Sequence, residues 1–438
     1  MKKYINIGKK LFPICRSITG SGTYETLKII KKEIPILKIK KKKSHTKVFD
    51  WNIPPEWNIK EAYVKDKNNI KIIDFKINNL HLVNYSSPVN KNINKLELIK
   101  KIHTLKNKKN AIPYITSYYK KYWGFCLKYN DLKKIKLKYK KQDKFKVYIN
   151  SSFNKNGFMK YGEVFLKGES KKEILLSTYI CHPSMANNEL SGPLVTMALI
   201  NYFKKIKLKK TIRILFIPET IGSINYINDN FEKLKKNVIA GLVITCVGDN
   251  NNFSYLPTKY GNTTLDKIIL STFKKNKIKF KKYSFLSRGS DERQYNSPHV
   301  ELPVASVMRS KYGTYPEYHT SLDDFKLVNA KGLRTSFIFL KKIINQVLDL
   351  DEKKFIKKNR RLKYTNPISK IICEPFMSKR HLYPTLSNGF IKSNTRNILN
   401  FLQYADGSNN YREISKYIKL NLNSTMKIYK ILKQHNLV

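Results

Sequence analysis

The 438-residue sequence has no apolar run of the length that a signal peptide or a membrane-spanning helix requires. Cysteine is also scarce: its five copies are odd in number and widely spaced, which argues against a disulfide framework. We therefore expect a cytoplasmic protein without a membrane span. Since 41% of the residues are hydrophobic and 12% are aromatic, the chain can bury cores for two or three globular domains.

Acidic residues are few as well, with 31 Asp and Glu against 86 Lys and Arg, which gives a net charge of +55. Such a charge ordinarily suggests that a protein binds nucleic acid or an anionic membrane. Here most of the basic residues are lysines scattered through every segment, a pattern typical of solvated surfaces. We therefore do not expect nucleic acid as the main partner.

The hydrophobic pattern divides the chain into three parts. Residues 151–355 alternate helical segments with continuous apolar runs such as "EILLSTYI" and "TIRILFIP", as in an α/β domain with a buried parallel sheet, and residues 1–45 add a helix to this domain. Residues 46–150 contain short β-rich pieces separated by turn-forming residues, which predicts an inserted β-rich domain. Residues 356–438 predict three helices in a winged-helix pattern.

Several polar side chains follow predicted strands of the α/β domain, beginning in "STYICHPSMANNELSG" at 177–192. Ligands bind beyond the carboxyl ends of such strands, where imidazole and carboxylate groups can hold a catalytic zinc ion. The candidates in these positions are His182, Glu219, Asp249 and His319.

Each candidate also has a purely local interpretation. A single histidine in a loop is more often hydrogen-bonded than metal-bound. Glu219 could cap the helix that follows it, and Asp249 could close an Asx turn. Asp323 and Asp324 precede a helix and are interpreted as its caps.

Longer stretches carry a resemblance to a known family. They include "LFPICRSITGSGT", "STYICHPSMANNELSG", "FIPETIGSI", "GSDERQY" and "YPEYHTSLDD". With them the sequence resembles the zinc aminopeptidase superfamily, and more closely the bacterial aminopeptidase-like proteins whose genes often accompany polysaccharide biosynthesis. The resemblance spans nearly the whole chain. It implies a zinc-exopeptidase-like three-layer αβα core with a mostly parallel sheet, an inserted β-rich domain and a C-terminal winged helix.

The resemblance also implies roles for the metal site, with one or two zinc ions as cofactor. His182 and Asp249 would hold one zinc ion, and His319 with an acidic residue of the "PET" turn would hold a second. Glu219 matches either a ligand of the second ion or the general base, and we favour the base, which takes a proton from the attacking water.

The "GSDERQY" stretch resembles the substrate-side loop of the family. There Asp291 would orient a ligand or receive an amino terminus, and Arg293 would bind a carboxylate or phosphate. An internal salt bridge between neighbouring residues is an equally good interpretation of this stretch.

One position departs from the family pattern A-N-D-N-x-S-G, whose Asp bridges two metal ions. Asn188 stands there, and its amide is a neutral and weak ligand for zinc. Glu189 begins one residue later, so its side chain is expected to point elsewhere. Pro183 and Ser184 follow His182 where many superfamily peptidases have a supporting Asp.

These observations favour a metal-dependent amide hydrolase of aminopeptidase type that acts on a small peptide or amide-linked substrate. The link to surface-polysaccharide biosynthesis comes from the resemblance alone. Two alternatives stay open: a metal- or ligand-binding relative without peptidase activity, and a DNA-binding regulator that acts through the winged helix. The sequence also leaves a homo-oligomer open.

Overall fold

A computed structural model of the protein describes residues 1–355, 362–363, 365–383 and 393–438. Residues 356–361, 364 and 384–392, which belong to the segment predicted as the winged-helix part, lie outside the described residues. No helix in the described part of the chain is long and apolar enough to cross a membrane.

The α-helices of the described residues are α1 (Lys2–Leu11), α2 (Ser21–Glu33), α3 (Lys95–Lys100), α4 (Tyr129–Lys138), α5 (Ser191–Phe203), α6 (Ile221–Asn237), α7 (Thr264–Lys275), α8 (Glu292–Tyr295), α9 (Ala330–Asp349), α10 (Ser393–Tyr404), α11 (Tyr411–Ile418) and α12 (Leu422–Gln434). The strands are β1 (Lys38–Lys43), β2 (Lys47–Val48), β3 (Trp51–Asn52), β4 (Glu56–Lys65), β5 (Lys71–Asp74), β6 (Val89–Asn94), β7 (Ile102–His103), β8 (Phe125–Cys126), β9 (Lys144–Asn154), β10 (Phe158–Leu166), β11 (Ser170–Tyr179), β12 (Lys210–Ile217), β13 (Val238–Val243), β14 (Phe253–Leu256), β15 (Phe280–Lys282) and β16 (Val304–Met308).

An eight-stranded sheet in the order β1-β10-β12-β11-β13-β16-β14-β15 forms the centre of the main domain. The pairs β12–β11, β11–β13, β13–β16 and β14–β15 are parallel, and the others are antiparallel. Every residue of β12 and of β16 is buried, as expected for strands that are covered on both faces.

Successive residues of β11 serve two different cores, because side chains alternate between the faces of a sheet. Ile174 and Leu176 belong to an apolar cluster with residues of α1, α2, α5, α7 and α9 on one face. Leu175 belongs to a second cluster with residues of α6 and of the inserted domain on the other face. The predicted αβα core with its mostly parallel sheet is therefore confirmed.

The inserted segment forms its own antiparallel sheet in the order β5-β4-β9-β6. Its buried residues Val64 and Val147 belong to the same apolar cluster as Leu215 of the central sheet. The inserted sheet thus packs directly on the main domain, above the face that α6 covers.

The C-terminal helices α10, α11 and α12 pack around Phe401, Ile414 and Leu432. Phe285 of the main domain belongs to the same apolar cluster. The buried Arg288 donates hydrogen bonds from the main domain to Asn400 Oδ1 (2.7 Å) and to Leu399 O (3.0 Å) on α10. These contacts fix the C-terminal unit on the α/β domain.

Candidate metal and substrate site

A π-helical turn, Ala186–Leu190, connects the loop after β11 to α5. Its backbone N–H groups at Asn187 and Asn188 donate to the two carboxylate oxygens of Asp323, at 2.5 and 2.9 Å. Asp323 is fully buried and also accepts a hydrogen bond from the Tyr315 hydroxyl at 2.9 Å. Asp323 therefore caps this distant turn.

The prediction that Asp323 caps the helix following it is wrong, because Asn329 caps α9 through its bond from the Gly332 N–H. Burial raises the pKa of the Asp323 carboxyl to about 6, although its backbone hydrogen bonds act in the opposite direction.

His182 follows β11 and lies between two carboxylates. Its Nδ1 is 2.8 Å from Glu189 Oε2, and its Nε2 is 3.5 Å from Glu219 Oε2. His182 Nδ1 and both oxygens of Glu189 are buried, yet none makes a well-directed hydrogen bond. The expectation that Glu189 points elsewhere is wrong, since the wide π-helical turn lets both Asn188 and Glu189 face the site.

Arg16 is the cation that faces Glu189 inside the protein. It is fully buried, its Nε lies 4.0 Å from Glu189 Oε1, and the same nitrogen donates to the His182 carbonyl at 2.9 Å. Burial lowers the pKa of Arg16, while the nearby Glu189 favours its charged form. Arg16 thus offsets the charge of Glu189 and holds the loop of His182 in place.

Cys181, His182 and Glu189 have ligand atoms within 4.8 Å of one another, and no other group of this kind occurs among the described residues. Cys181 Sγ also accepts a hydrogen bond from the Glu219 N–H at 3.3 Å. Burial raises the pKa of the Cys181 thiol to about 11, an effect that His182 partly opposes. Sulfur, imidazole nitrogen and carboxylate oxygen are the donors that zinc prefers, so this group fits one ion.

His319 and Asn188 form a second pair beside His182. His319 Nε2 lies 3.1 Å from Asn188 Oδ1, and the Asn188 amide donates to the Tyr179 hydroxyl at 2.7 Å. The rings of His182 and His319 are 5.5 Å apart, and Tyr114 packs against both. Burial, together with the nearby His182, lowers the pKa of His319 to about 3, so its imidazole is neutral.

The structure does not bring Asp249 to the other candidate ligands. Its carboxylate accepts hydrogen bonds from Asn187 Nδ2 (2.8 Å), from the Asn251 N–H (2.8 Å) and from the Ser310 N–H (3.1 Å). It therefore ties together three loops at the end of the sheet. Cys246, which also follows β13, does reach the site. Its Sγ lies 3.8 Å from the amide nitrogen of Asn188.

Asp291 supports the turn that carries Glu219. Its Oδ1 accepts hydrogen bonds from the Thr220 N–H (2.7 Å) and from the Ser223 hydroxyl (2.8 Å), and its side chain is fully buried. Thr220 has a φ of +66°, which a β-branched residue adopts only where its surroundings hold it. Burial, and then the charge of Glu219, raises the pKa of Asp291 to about 7.

Arg293 reaches across to the C-terminal unit. One of its terminal nitrogens donates to Thr220 Oγ1 at 2.5 Å. The other lies 3.2 and 3.4 Å from the two carboxylate oxygens of Glu374. Its ion pair is therefore made with a residue 81 positions away and not with a sequence neighbour.

A cavity of about 200 Å³ opens at this cluster. His182, Glu219, His319 and Arg293 line it from the main domain. The inserted domain contributes Trp51, Tyr114, Tyr118 and Tyr119, and the C-terminal unit contributes Glu374, Phe376 and Tyr383. Such a volume holds roughly seven water molecules, so the cavity admits a small substrate or the end of a larger one.

Comparisons with known proteins agree with this architecture. Residues 5–351 match the family described as "Domain of unknown function (DUF4910)", and residues 365–438 match a winged helix-turn-helix. A Clostridium acetobutylicum protein, provisionally named as a polysaccharide biosynthesis protein with an aminopeptidase-like domain, is 44% identical over 384 residues, which are 88% of this chain and 83% of that protein.

Two solved structures extend the comparison to the fold. A Clostridium acetobutylicum structure, provisionally titled a peptidase, has a TM-score of 0.75 and 39% identity over 100% of this chain and 95% of that one. A zinc aminopeptidase from Bacillus subtilis has a TM-score of 0.57 and 13% identity over 80% of this chain and 96% of that one, a likeness of fold alone. The chain belongs to the DUF4910 family, has the fold of zinc aminopeptidases and ends in a winged helix-turn-helix.

Proposed function

We propose that the protein is a metal-dependent amide hydrolase of aminopeptidase type that acts on a small peptide or amide-linked substrate in the cytoplasm. The observation that carries this proposal is the position of Glu219, which lines the cavity 3.5 Å from His182 and beside the Cys181–His182–Glu189 group. The name of the Clostridium acetobutylicum relative supports a place in polysaccharide biosynthesis.

We propose zinc as the cofactor, held by His182, Glu189 and Cys181. The fit rests on the buried atoms of His182 and Glu189 that make no directed hydrogen bond, since a cation would satisfy them. When bound, zinc would supply a Lewis acid that polarises the substrate carbonyl. The pair of His319 and Asn188 offers no carboxylate for a second ion, so we propose one ion per chain.

Glu219 is the proposed general base. Burial raises the pKa of this carboxyl, but contact with His182 and the charge of Arg293 lower it below its ordinary value, so the group is ionised at neutral pH. An ionised carboxylate can take the proton of an attacking water and pass it to the leaving amine. The Thr220 backbone, held by Asp291, positions Glu219 for this transfer.

The alternative is a ligand-binding relative without catalysis, and the position of His182 between two carboxylates favours it. Burial alone would lower the pKa of His182, but Cys181 and Glu189 raise it well above its ordinary value. A protonated His182 together with Arg16 would balance the charges of Glu189 and Glu219 without a metal ion.

Hydrolysis of amides by the full-length protein decides between these functions. We expect the zinc-loaded protein to hydrolyse at least one member of a panel of aminoacyl amides and N-acylated amino sugars, and a chelator to abolish this activity until zinc is restored. Product amine is measured, with zinc-loaded His182→Ala as the control. If the zinc-loaded protein releases no amine from any member of the panel, the hydrolase proposal is wrong.

A further inference from the structure

Only two carboxylates belong to the described residues that line the cavity, those of Glu219 and Glu374. Glu219 faces His182 and is the proposed base. Glu374 comes from the C-terminal unit, within the segment that matches the winged helix-turn-helix. A residue outside the α/β domain therefore supplies the second anionic group of the cavity.

Residues from both other parts of the chain fix the backbone of Glu374. Its N–H donates to Gln294 Oε1 of the main domain at 3.0 Å, and its carbonyl accepts from Trp51 Nε1 of the inserted domain at 2.7 Å. Two residues further on, the Phe376 N–H donates to Asp50 Oδ2 at 2.8 Å. These hydrogen bonds hold the backbone of Glu374 in place. The carboxylate is therefore positioned at the cavity before a ligand binds.

The ion pair with Arg293 leaves the Glu374 carboxylate able to accept further hydrogen bonds. Both oxygens contact the same guanidinium nitrogen, at 3.2 and 3.4 Å, which is longer than the 2.7–2.9 Å typical of a charge-assisted hydrogen bond. A bidentate pair would use two nitrogens instead. Since each carboxylate oxygen has two lone pairs, Glu374 retains acceptor sites toward the cavity.

Aromatic rings surround this end of the cavity. Trp51 and Phe376 are stacked with their ring centres 4.5 Å apart, and Tyr119 packs against both. Aromatic faces attract cations, and an apolar wall strengthens the attraction between a carboxylate and a cation. The carboxylate and the surrounding rings together suit a substituted ammonium group, because such a group carries a positive charge next to apolar carbon atoms.

We propose that Glu374 is a substrate-binding residue that receives the ammonium group of a substrate with a free amine. The C-terminal unit then sets the specificity of the site for amine-bearing amides. This inference rests on the proposed function, because that function places the substrate amide at Glu219, which lines the same cavity as Glu374.

Binding measurements in the Glu219→Gln background test Glu374 while turnover is slowed by about 10²–10⁴-fold. The probes are L-phenylalaninamide and its N-acetyl derivative, which lacks the charge, and their Kd values are measured by calorimetry on the zinc-loaded full chain. We expect the amine to bind more tightly. Adding Glu374→Gln should weaken amine binding by at least about thirtyfold and leave the N-acetyl probe unchanged, as expected when one partner of a buried charge pair is removed.

Glu374→Asp is the matched variant, since it keeps the charge and should retain part of the preference for the amine. Melting temperatures show that each variant is folded. If Glu374→Gln keeps the preference, or if the starting protein binds the two probes equally or not at all, the inference is wrong, even where amide hydrolysis is observed. If the preference exists and is lost in Glu374→Gln while the protein with Glu219 intact hydrolyses no amide, Glu374 is shown to bind ammonium ligands and the proposed function fails.

Discussion

Replacement of Glu219 by glutamine is expected to lower kcat/KM for amide hydrolysis by about 10²–10⁴-fold, the usual contribution of a general base. Glutamine has nearly the same shape but cannot accept the proton of the attacking water. The Cys181–His182–Glu189 group does not include Glu219, so the zinc content of the variant should equal that of the unmodified protein. Steady-state kinetics and elemental analysis on the same preparation measure both quantities.

Glu232→Gln is the matched control for Glu219→Gln. This glutamate is exposed on α6, the helix that follows Glu219, and its replacement removes the same charge far from the cavity. It should leave kcat/KM unchanged. A Glu219→Gln variant as active as Glu232→Gln would show that Glu219 is not the base.

Asp323→Ala is expected to lower the free energy of unfolding by about 3–5 kcal/mol, because it leaves two buried backbone N–H groups and one tyrosine hydroxyl without their acceptor. Loss of this cap should also free Asn188 and Glu189 to move, so zinc affinity should fall with stability. Urea unfolding and zinc titration of the full chain measure the two effects.

The neighbouring Asp324 gives a matched control for Asp323. Asp324 is half-buried, and its carboxylate accepts one solvent-exposed hydrogen bond, from the Lys326 N–H at 2.8 Å. Asp324→Ala should therefore cost about 1 kcal/mol or less. Equal stability of the two variants would mean that the buried cap of the π-helical turn contributes little.

The fold could be predicted because its signals are local. Continuous apolar runs such as that of β12 predict strands buried on both faces, and the structure shows β12 buried throughout. The resemblance of the quoted stretches to aminopeptidase-like proteins also predicted the order of the domains along the chain. Fold class and family are both confirmed by the comparisons.

The site was harder to predict because it depends on contacts between distant segments. Nothing in the sequence near Glu189 shows that a π-helical turn directs it to His182, and the cap from Asp323 lies 135 residues away from Asn188. The sequence does single out Arg16, because it is an arginine in a chain whose basic residues are mostly lysine. Nothing in the sequence singles out Glu374, because its place in the cavity depends on how the C-terminal unit packs.

The zinc content of the purified full-length protein tests the central claim most directly. After mild chelation and reloading with zinc, elemental analysis of the native protein is compared with that of His182→Ala and Asn188→Asp. The account predicts one zinc ion per chain in the native protein and none in His182→Ala. No zinc in the native protein, together with zinc bound by Asn188→Asp, would contradict it and would mean that Asn188 has removed the metal site.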